Sequence, residues 1–243
     1  MEEKVFDRVE KKYLITIDEK TRLLGIIKDH ISESNYHKSD IINLYFDNDN
    51  YDMISDSIDW VDFKKKVRVR SYTGYDRVFI ELKTKVHGDE ENIGYKRRVM
   101  ITRKDYKAFV NGKKTLVYLA GQKIESPNDL QIAKELDYMI KTFDLKPKIL
   151  VSYQRESYKD DNGLRITFDE NLRYRNTNLN LKNQKNDIMF FKDNRNIIME
   201  VKTSEAMPLW FVEALSKLKI YPCQFSKIGK IYQCINKKKG SNV

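Results

Sequence analysis

The sequence predicts an α+β fold: an antiparallel β-barrel enclosing a basic tunnel, with helices packed outside. Three observations lead there. Segments in which apolar and charged residues alternate recur along the chain, the period-two signature of strands. The charged faces of those segments are dominated by Arg and Lys, whereas plain solvated strands more often show Thr, Ser and Gln. Between the strands lie stretches of helical periodicity, which could cover the apolar faces and leave the charged faces inside.

Taken in order, Asp7 to Ile17 is a strand, with Val, Tyr and Ile alternating against charged groups. Asp18 is placed to cap a helix, because Leu23, Leu24, Ile27 and Ile31 then recur at helical spacing. A strand over Ile41–Asp47 follows, and then three charged strands over Phe63–Tyr72, Arg77–Lys85 and Ile93–Ile101. Thr102 can cap a short helix ending near Asn111. Ser126-Pro127-Asn128-Asp129 starts another helix, with a capping serine, Pro in the first turn and an acid near the positive end. That helix extends to Phe143.

The second half is again strand-rich, over Lys148–Tyr158, Leu164–Asp169, Leu172–Arg175 and Asn196–Lys202, before an amphipathic helix at Pro208–Lys219. There is no linker and no fixed-period repeat, so residues 1–236 are expected to form a single domain. Residues 237–243, which begin Lys237-Lys238-Lys239, are expected to be a frayed basic tail.

A chain of 243 residues, 40% hydrophobic and 34% charged, can bury a substantial core and is not disordered. Its 46 Lys and Arg against 36 Asp and Glu give a net charge of +10, which favours a polyanionic partner: nucleic acid, anionic lipid or phosphate chains. Cys223 and Cys234 are too few for a disulfide framework or a zinc site and are expected to be buried free thiols. His30, His37 and His87 show no metal or triad spacing and are read as surface residues. Gly112-Lys113-Lys114-Thr115 lacks the earlier glycine and the strand-to-helix setting of a phosphate loop and is read as a turn. No apolar run approaches the roughly 20 residues that span a bilayer, and the N-terminus is acidic where a signal peptide is basic. A cytoplasmic location is expected, with any membrane association arising through a partner.

Residues two apart in a strand share a face. Arg8, Glu10 and Lys12 therefore line up opposite Val9, Tyr13 and Ile15. Lys64, Lys66, Arg68 and Arg70 oppose Val67 and Val69, while Arg77, Glu81 and Lys83 oppose Val78, Ile80 and Leu82. Lys96 and Arg98 oppose Val99 and Ile101, and Arg165 and Asp169 oppose Leu164, Ile166 and Phe168. Glu200 and Lys202 oppose Met199 and Val201. Phosphate explains such a face. Arg offers a planar fork for two phosphate oxygens, Lys adds compact charge, and scattered Glu residues could hold a divalent metal that bridges phosphate oxygens. A nucleic-acid-binding barrel with these residues in an outer groove is the competing reading.

Eight short motifs, in order, carry a family resemblance. They are Arg8-x-Glu10-x-Lys12-Tyr13, Val67-Arg68-Val69-Arg70-Ser71-Tyr72, Glu81-Leu82-Lys83-Thr84 and Tyr95-Lys96-Arg97-Arg98 in the first half. Ser152-Tyr153-Gln154-Arg155, Leu164-Arg165-Ile166-Thr167-Phe168-Asp169, Met199-Glu200-Val201-Lys202 and Phe225-Ser226-Lys227 follow in the second. The chain resembles a VTC-type domain of the triphosphate tunnel metalloenzyme (CYTH-like) superfamily over roughly Phe6 to Tyr232.

That resemblance implies a polyphosphate polymerase that takes ATP as substrate and Mn²⁺ or Mg²⁺ as cofactor. Lys12, Arg68, Arg70, Lys83, Lys96, Arg155, Arg165 and Lys227 would bind the reacting phosphates, with Arg98 and Lys202 adding to the nucleotide and chain site. Glu200 would hold the metal, Glu10 would assist directly or through water, and Asp169 would support an arginine or the metal. The implied partners are ATP and inorganic polyphosphate, not nucleic acid, with a membrane protein possible at the inner face of a membrane. Many tunnel hydrolases open Glu-x-Glu-x-Lys; here Arg8 replaces the first acid, which tilts the reading from hydrolysis toward transfer. A triphosphatase using the same tunnel and a non-catalytic polyphosphate-binding module remain the alternatives.

Overall fold

A computed structural model of the chain describes residues 9–59, 61–87, 92–121, 127–182, 186–192 and 196–240. The first half runs β1 (Val9–Thr16), α1 (Ile17–Ile27), β2 (Ser32–Asp47), α2 (Asp52–Asp56), β3 (Phe63–Tyr72), β4 (Arg77–His87), β5 (Asn92–Thr102), α3 (Arg103–Val110) and α4 (Leu116–Gly121). The second runs α5 (Pro127–Thr142), β6 (Lys146–Lys159), β7 (Arg165–Arg175), β8 (Ile188–Met189), β9 (Asn196–Thr203), α6 (Leu209–Lys217) and α7 (Lys227–Gly240). The expected α+β class holds. The strands form one sheet in the order β1-β9-β7-β6-β2-β3-β4-β5, with β8 on β7. The β1–β9, β2–β3, β3–β4, β4–β5 and β7–β9 ladders are antiparallel. Among the described residues no ladder joins β1 to β5, so hydrogen bonding leaves the sheet open at those two strands.

The chain divides into two compact units, and β2, β6 and β7 each contribute residues to both. The first unit comprises Met1–Asp40, Ser152–Arg173 and Asp187–Phe225. Its core joins Tyr13 and Ile15 of β1, Ile166 and Phe168 of β7, and Ile197, Met199 and Val201 of β9 to Leu23 and Ile27 of α1 and Phe211 and Leu215 of α6. Each such side chain contributes about 1.5–3 kcal/mol when fully buried. The second unit comprises Ile41–Val151, Tyr174–Asn186 and Ser226–Val243. There Leu44, Val67, Val69, Val78, Ile80, Leu82 and Val99 pack against Tyr106, Leu116, Leu119, Ala133 and Leu136 of α3, α4 and α5. In both units the helices cover the apolar face of the strands, as the alternation requires.

Several elements differ from the sequence expectation. The cap of α1 is Thr16, not Asp18: its hydroxyl accepts from the Glu19 amide at 3.2 Å and the Glu19 carboxylate accepts from the Thr16 amide at 2.7 Å. This reciprocal box satisfies two donors that a lone Asp18 would not. The helix stops at Ile27, and Ile31 packs on the same core from beyond its end. Strand β2 begins nine residues before Ile41, at Ser32, through a polar stretch with no apolar alternation to announce it. There Ser34 hydrogen-bonds Ser157 at 3.1 Å, and His37, half-buried rather than on the surface, lies 3.2 Å from the Ser157 carbonyl. His30 is exposed and stacks on Trp210; the His87 side chain lies outside the described residues.

The two expected strands around Arg165–Arg175 are one, with Asn171 in the left-handed region at φ 53° between them. Asn tolerates that conformation better than most residues. Helices α2 and α4 were not expected, because each is held by an acid outside it: Asp47, at the end of β2, accepts from the Met53 and Ile54 amides, and Asp137 of α5 from those of Leu116 and Val117. Helix α7 carries on through Lys237, where a tail was expected; cations near a helix C-terminus suit its dipole. Gly112, at φ 69°, turns the chain between α3 and α4 as read. Both cysteines are free, but Cys223 is exposed in the segment before α7 and Cys234 is half-buried. Arg8 and Ser126 lie outside the described residues.

Candidate active site on two charged sheet faces

Most of the candidate residues lie on charged strand faces opposite the helix-covered cores, one face in each compact unit. In the second unit the register puts Lys66, Lys83 and Lys96 directly across from one another on β3, β4 and β5. Arg68, Glu81 and Arg98 form the next row, continued by Tyr45 on β2, and Arg70 follows opposite Phe79 and Asn43. Like charges directly opposite on neighbouring strands destabilise a sheet. The lysine row is therefore an arrangement that a bound polyanion would favour and an empty sheet would not.

Arg68 is buried, at 7% exposure, and its Nε and Nη2 donate to Glu81 Oε2 at 2.8 and 2.7 Å while Nη1 donates to Tyr45 Oη at 3.3 Å. Lys96 Nζ reaches the other Glu81 oxygen at 3.2 Å. Burial pushes the Glu81 carboxyl up, but Arg68, Arg70 and Lys96 around it outweigh this and hold it at about 2. For Lys96, burial outweighs the attraction of Glu81, and Arg98 and Arg70 add repulsion, so its pKa is lowered. Arg70 Nε donates to Asn43 Oδ1 at 2.9 Å, and the Arg98 guanidinium lies over the Phe79 ring at 4.7 Å. Lys227 opens α7, next to Ser226, whose hydroxyl is 3.4 Å from Lys66 Nζ.

In the first unit the β1–β9 register sets Glu10 across from Lys202 and Lys12 across from Glu200, and β7 adds Arg165 beside Lys202 and Thr167 beside Glu200. Lys202 Nζ pairs with Glu10 at 3.0 Å, Lys12 Nζ lies 3.4 Å from Glu10, and Lys12 also donates to the Phe225 carbonyl at 3.1 Å. Arg155 forks onto the fully buried Asp169 at 2.5 and 2.7 Å and reaches Glu200 Oε2 at 3.1 Å. Burial opposes its charge, but Tyr153, Asp169 and Glu200 raise its pKa well above the ordinary value. Asp169 thus holds an arginine in place, one of the two roles expected of it. Arg165 is exposed, with Nε 3.3 Å from Ser157 Oγ.

The family model for the VTC domain matches residues 7–236. The chain belongs to the VTC domain family. Subunit 4 of the vacuolar transporter chaperone complex of Trypanosoma brucei brucei (strain 927/4 GUTat10.1) is 25% identical to it over 205 residues, 70% of this chain. The matched part is 26% of that protein, so the chain spans about a quarter of the length of this curated relative. Among solved structures, a putative adenylyl cyclase from Hippeastrum, described as having a dominant triphosphatase activity, superposes with a TM-score of 0.52 at 13% identity, covering 90% of this chain and 92% of that one. The PH1819 protein of Pyrococcus horikoshii OT3 gives 0.47 at 12% identity over 93% and 99%. The Hippeastrum likeness speaks to fold alone.

In this VTC domain, no group of three or more His, Cys, Asp or Glu side chains stands ready to cage a metal among the described residues. Glu10 and Glu200 are hard oxygen donors, diagonal neighbours on one face of β1 and β9. That donor set fits Mg²⁺ or Mn²⁺, which bind through one or two carboxylates together with substrate phosphates. Sequence reasoning missed Asn43, Tyr45 and Ser157, which brace Arg70, Arg68 and Arg165. The alternation Ile42-Asn43-Leu44-Tyr45-Phe46 held the signal for the first two, since it puts both polar groups on the arginine face.

Proposed function

We propose that this VTC domain is a polyphosphate polymerase, which transfers the terminal phosphate of ATP to a growing inorganic polyphosphate chain. The observation that carries the reading is the in-register row of Lys66, Lys83 and Lys96 flanked by Arg68, Arg70 and Arg98. Stacked cations of that kind match a linear ligand with charge at every unit. The related trypanosome subunit of a vacuolar transporter chaperone complex supports the same reading.

In the first unit Lys12, Arg155, Arg165 and Lys202 would bind phosphate, with Arg155 kept in its pose by Asp169; in the second, Lys227 would do so beside the β3–β5 cations. Glu200, with Glu10, would hold Mn²⁺ or Mg²⁺, which supplies charge neutralisation at the phosphate oxygens when bound. A terminal oxygen of the acceptor chain attacks the γ-phosphorus of ATP, the bond to the β-phosphate oxygen breaks, and ADP leaves. Both nucleophile and leaving group are phosphates, so the side chains need only position and neutralise. No helix among the described residues is long and apolar enough to cross a membrane. A membrane-protein partner on the cytoplasmic side that carries the product away accords with the complex to which the trypanosome relative belongs.

Competition tests the ligand class. Bound ATP should be displaced by short polyphosphate and not by an oligonucleotide of equal charge. Equal displacement by both would return the chain to the nucleic-acid-binding reading.

A further inference from the structure

Among the described residues, the cation rows of β3, β4 and β5 contain one carboxylate, Glu81, and it sits at their centre. Arg68 and Arg98 flank it across the strands, Lys83 follows it on β4, and Lys96 reaches it diagonally. It is 1% exposed, and both its oxygens are committed to cations: Oε2 to Arg68 and Oε1 to Lys96. A carboxylate there has two opposed effects on a phosphate chain. It fixes the directions of two phosphate-binding side chains on different strands, and it repels the chain from within the rows that attract it.

Resting on the polymerase reading, we propose that Glu81 is a built-in counter-anion. It positions Arg68 and Lys96 and keeps the phosphate chain held loosely enough to be passed along. A pathway for a charged ligand needs binding favourable enough to admit it and weak enough to release it. An unopposed cation array would hold the chain and stall. Glu81 is thus a positioning residue whose charge, as well as its shape, matters to turnover.

The test compares full-length wild type with Glu81→Gln and Glu81→Asp. Tripolyphosphate affinity is measured by calorimetry, and kcat and KM for ATP are measured with Mn²⁺. Loss of the charge in Glu81→Gln should tighten tripolyphosphate binding on the order of tenfold, the scale of one repulsive contact, while lowering kcat. Glu81→Asp keeps the charge but withdraws the oxygens, so its affinity should stay within about twofold of wild type while kcat falls. Should Glu81→Gln melt too low for assay, saturating tripolyphosphate should raise its melting temperature more than that of wild type, because phosphate replaces the missing anion. Weaker binding in Glu81→Gln, unchanged kcat, or a smaller melting shift would overturn the proposal alone, provided wild type binds tripolyphosphate and turns over ATP. A wild type that does neither overturns the polymerase reading, and the proposal with it.

Discussion

Removing Arg68 would change stability and binding together, because its guanidinium is both a candidate phosphate ligand and the main partner of a buried acid. Arg68→Ala leaves Glu81 without two charge-assisted hydrogen bonds at 1% exposure. Breaking a buried pair in this way costs about 3–5 kcal/mol, which urea unfolding would register, and ATP affinity should fall by roughly tenfold or more. Glu81 also sets a pH dependence. Its carboxyl titrates at about 2 in the folded chain against an ordinary 4.5, so the folded state favours the ionised form. The resulting stability, on the order of 3 kcal/mol, is fully present above about pH 4.5 and is lost as pH falls toward 2. In Glu81→Gln that part of the acid unfolding profile should flatten. If Glu200 holds the proposed metal, Glu200→Gln should leave ATP binding nearly intact and reduce metal-dependent turnover by at least the roughly tenfold that loss of even an outer-shell partner costs. At this scale the cations were legible because alternation alone puts Arg68 and Arg70 on one face. The central place of Glu81 was not, since it depends on which residues of β3 and β5 stand across from β4, and that register is a tertiary fact.

Elements were legible where their signals were local. Strand β3 follows the alternation from Phe63 to Tyr72, and α3 starts at the Thr102 cap, whose hydroxyl accepts from the Asp105 amide at 3.1 Å. Elements that lean on distant residues were hidden. Helix α4 depends on Asp137 of α5, twenty or more residues away, which receives the Leu116 amide at 2.9 Å and the Val117 amide at 2.8 Å. Asp137→Ala should therefore cost about 1–2 kcal/mol and speed amide exchange in α4 before it does so in α5. The polar start of β2 is held by contacts such as Ser34 with Ser157, which no pattern inside Ser32–Asp40 reveals. Thr16→Ala, by contrast, removes a purely local capping box and should cost about 1 kcal/mol in chemical denaturation, with no effect on phosphate binding.

Across the whole molecule, a net charge of +10 predicted a polyanionic partner, and the strands collect that charge on faces opposite the two apolar cores. Alternation carried that much, because a period of two assigns each side chain a face before any ladder is known. The order of strands, with no ladder joining β1 to β5 among the described residues, came only with the pairing. Binding of tripolyphosphate should weaken steeply as salt rises, since exposed charges such as Arg98 are screened while the Arg155–Asp169 clamp is not. The most direct test is to incubate the protein with ATP and Mn²⁺ and to measure ADP, free phosphate and acid-labile phosphate chains together. ADP with long chains and little free phosphate is expected of a polymerase; free phosphate without chains would contradict that reading and make the domain a triphosphatase.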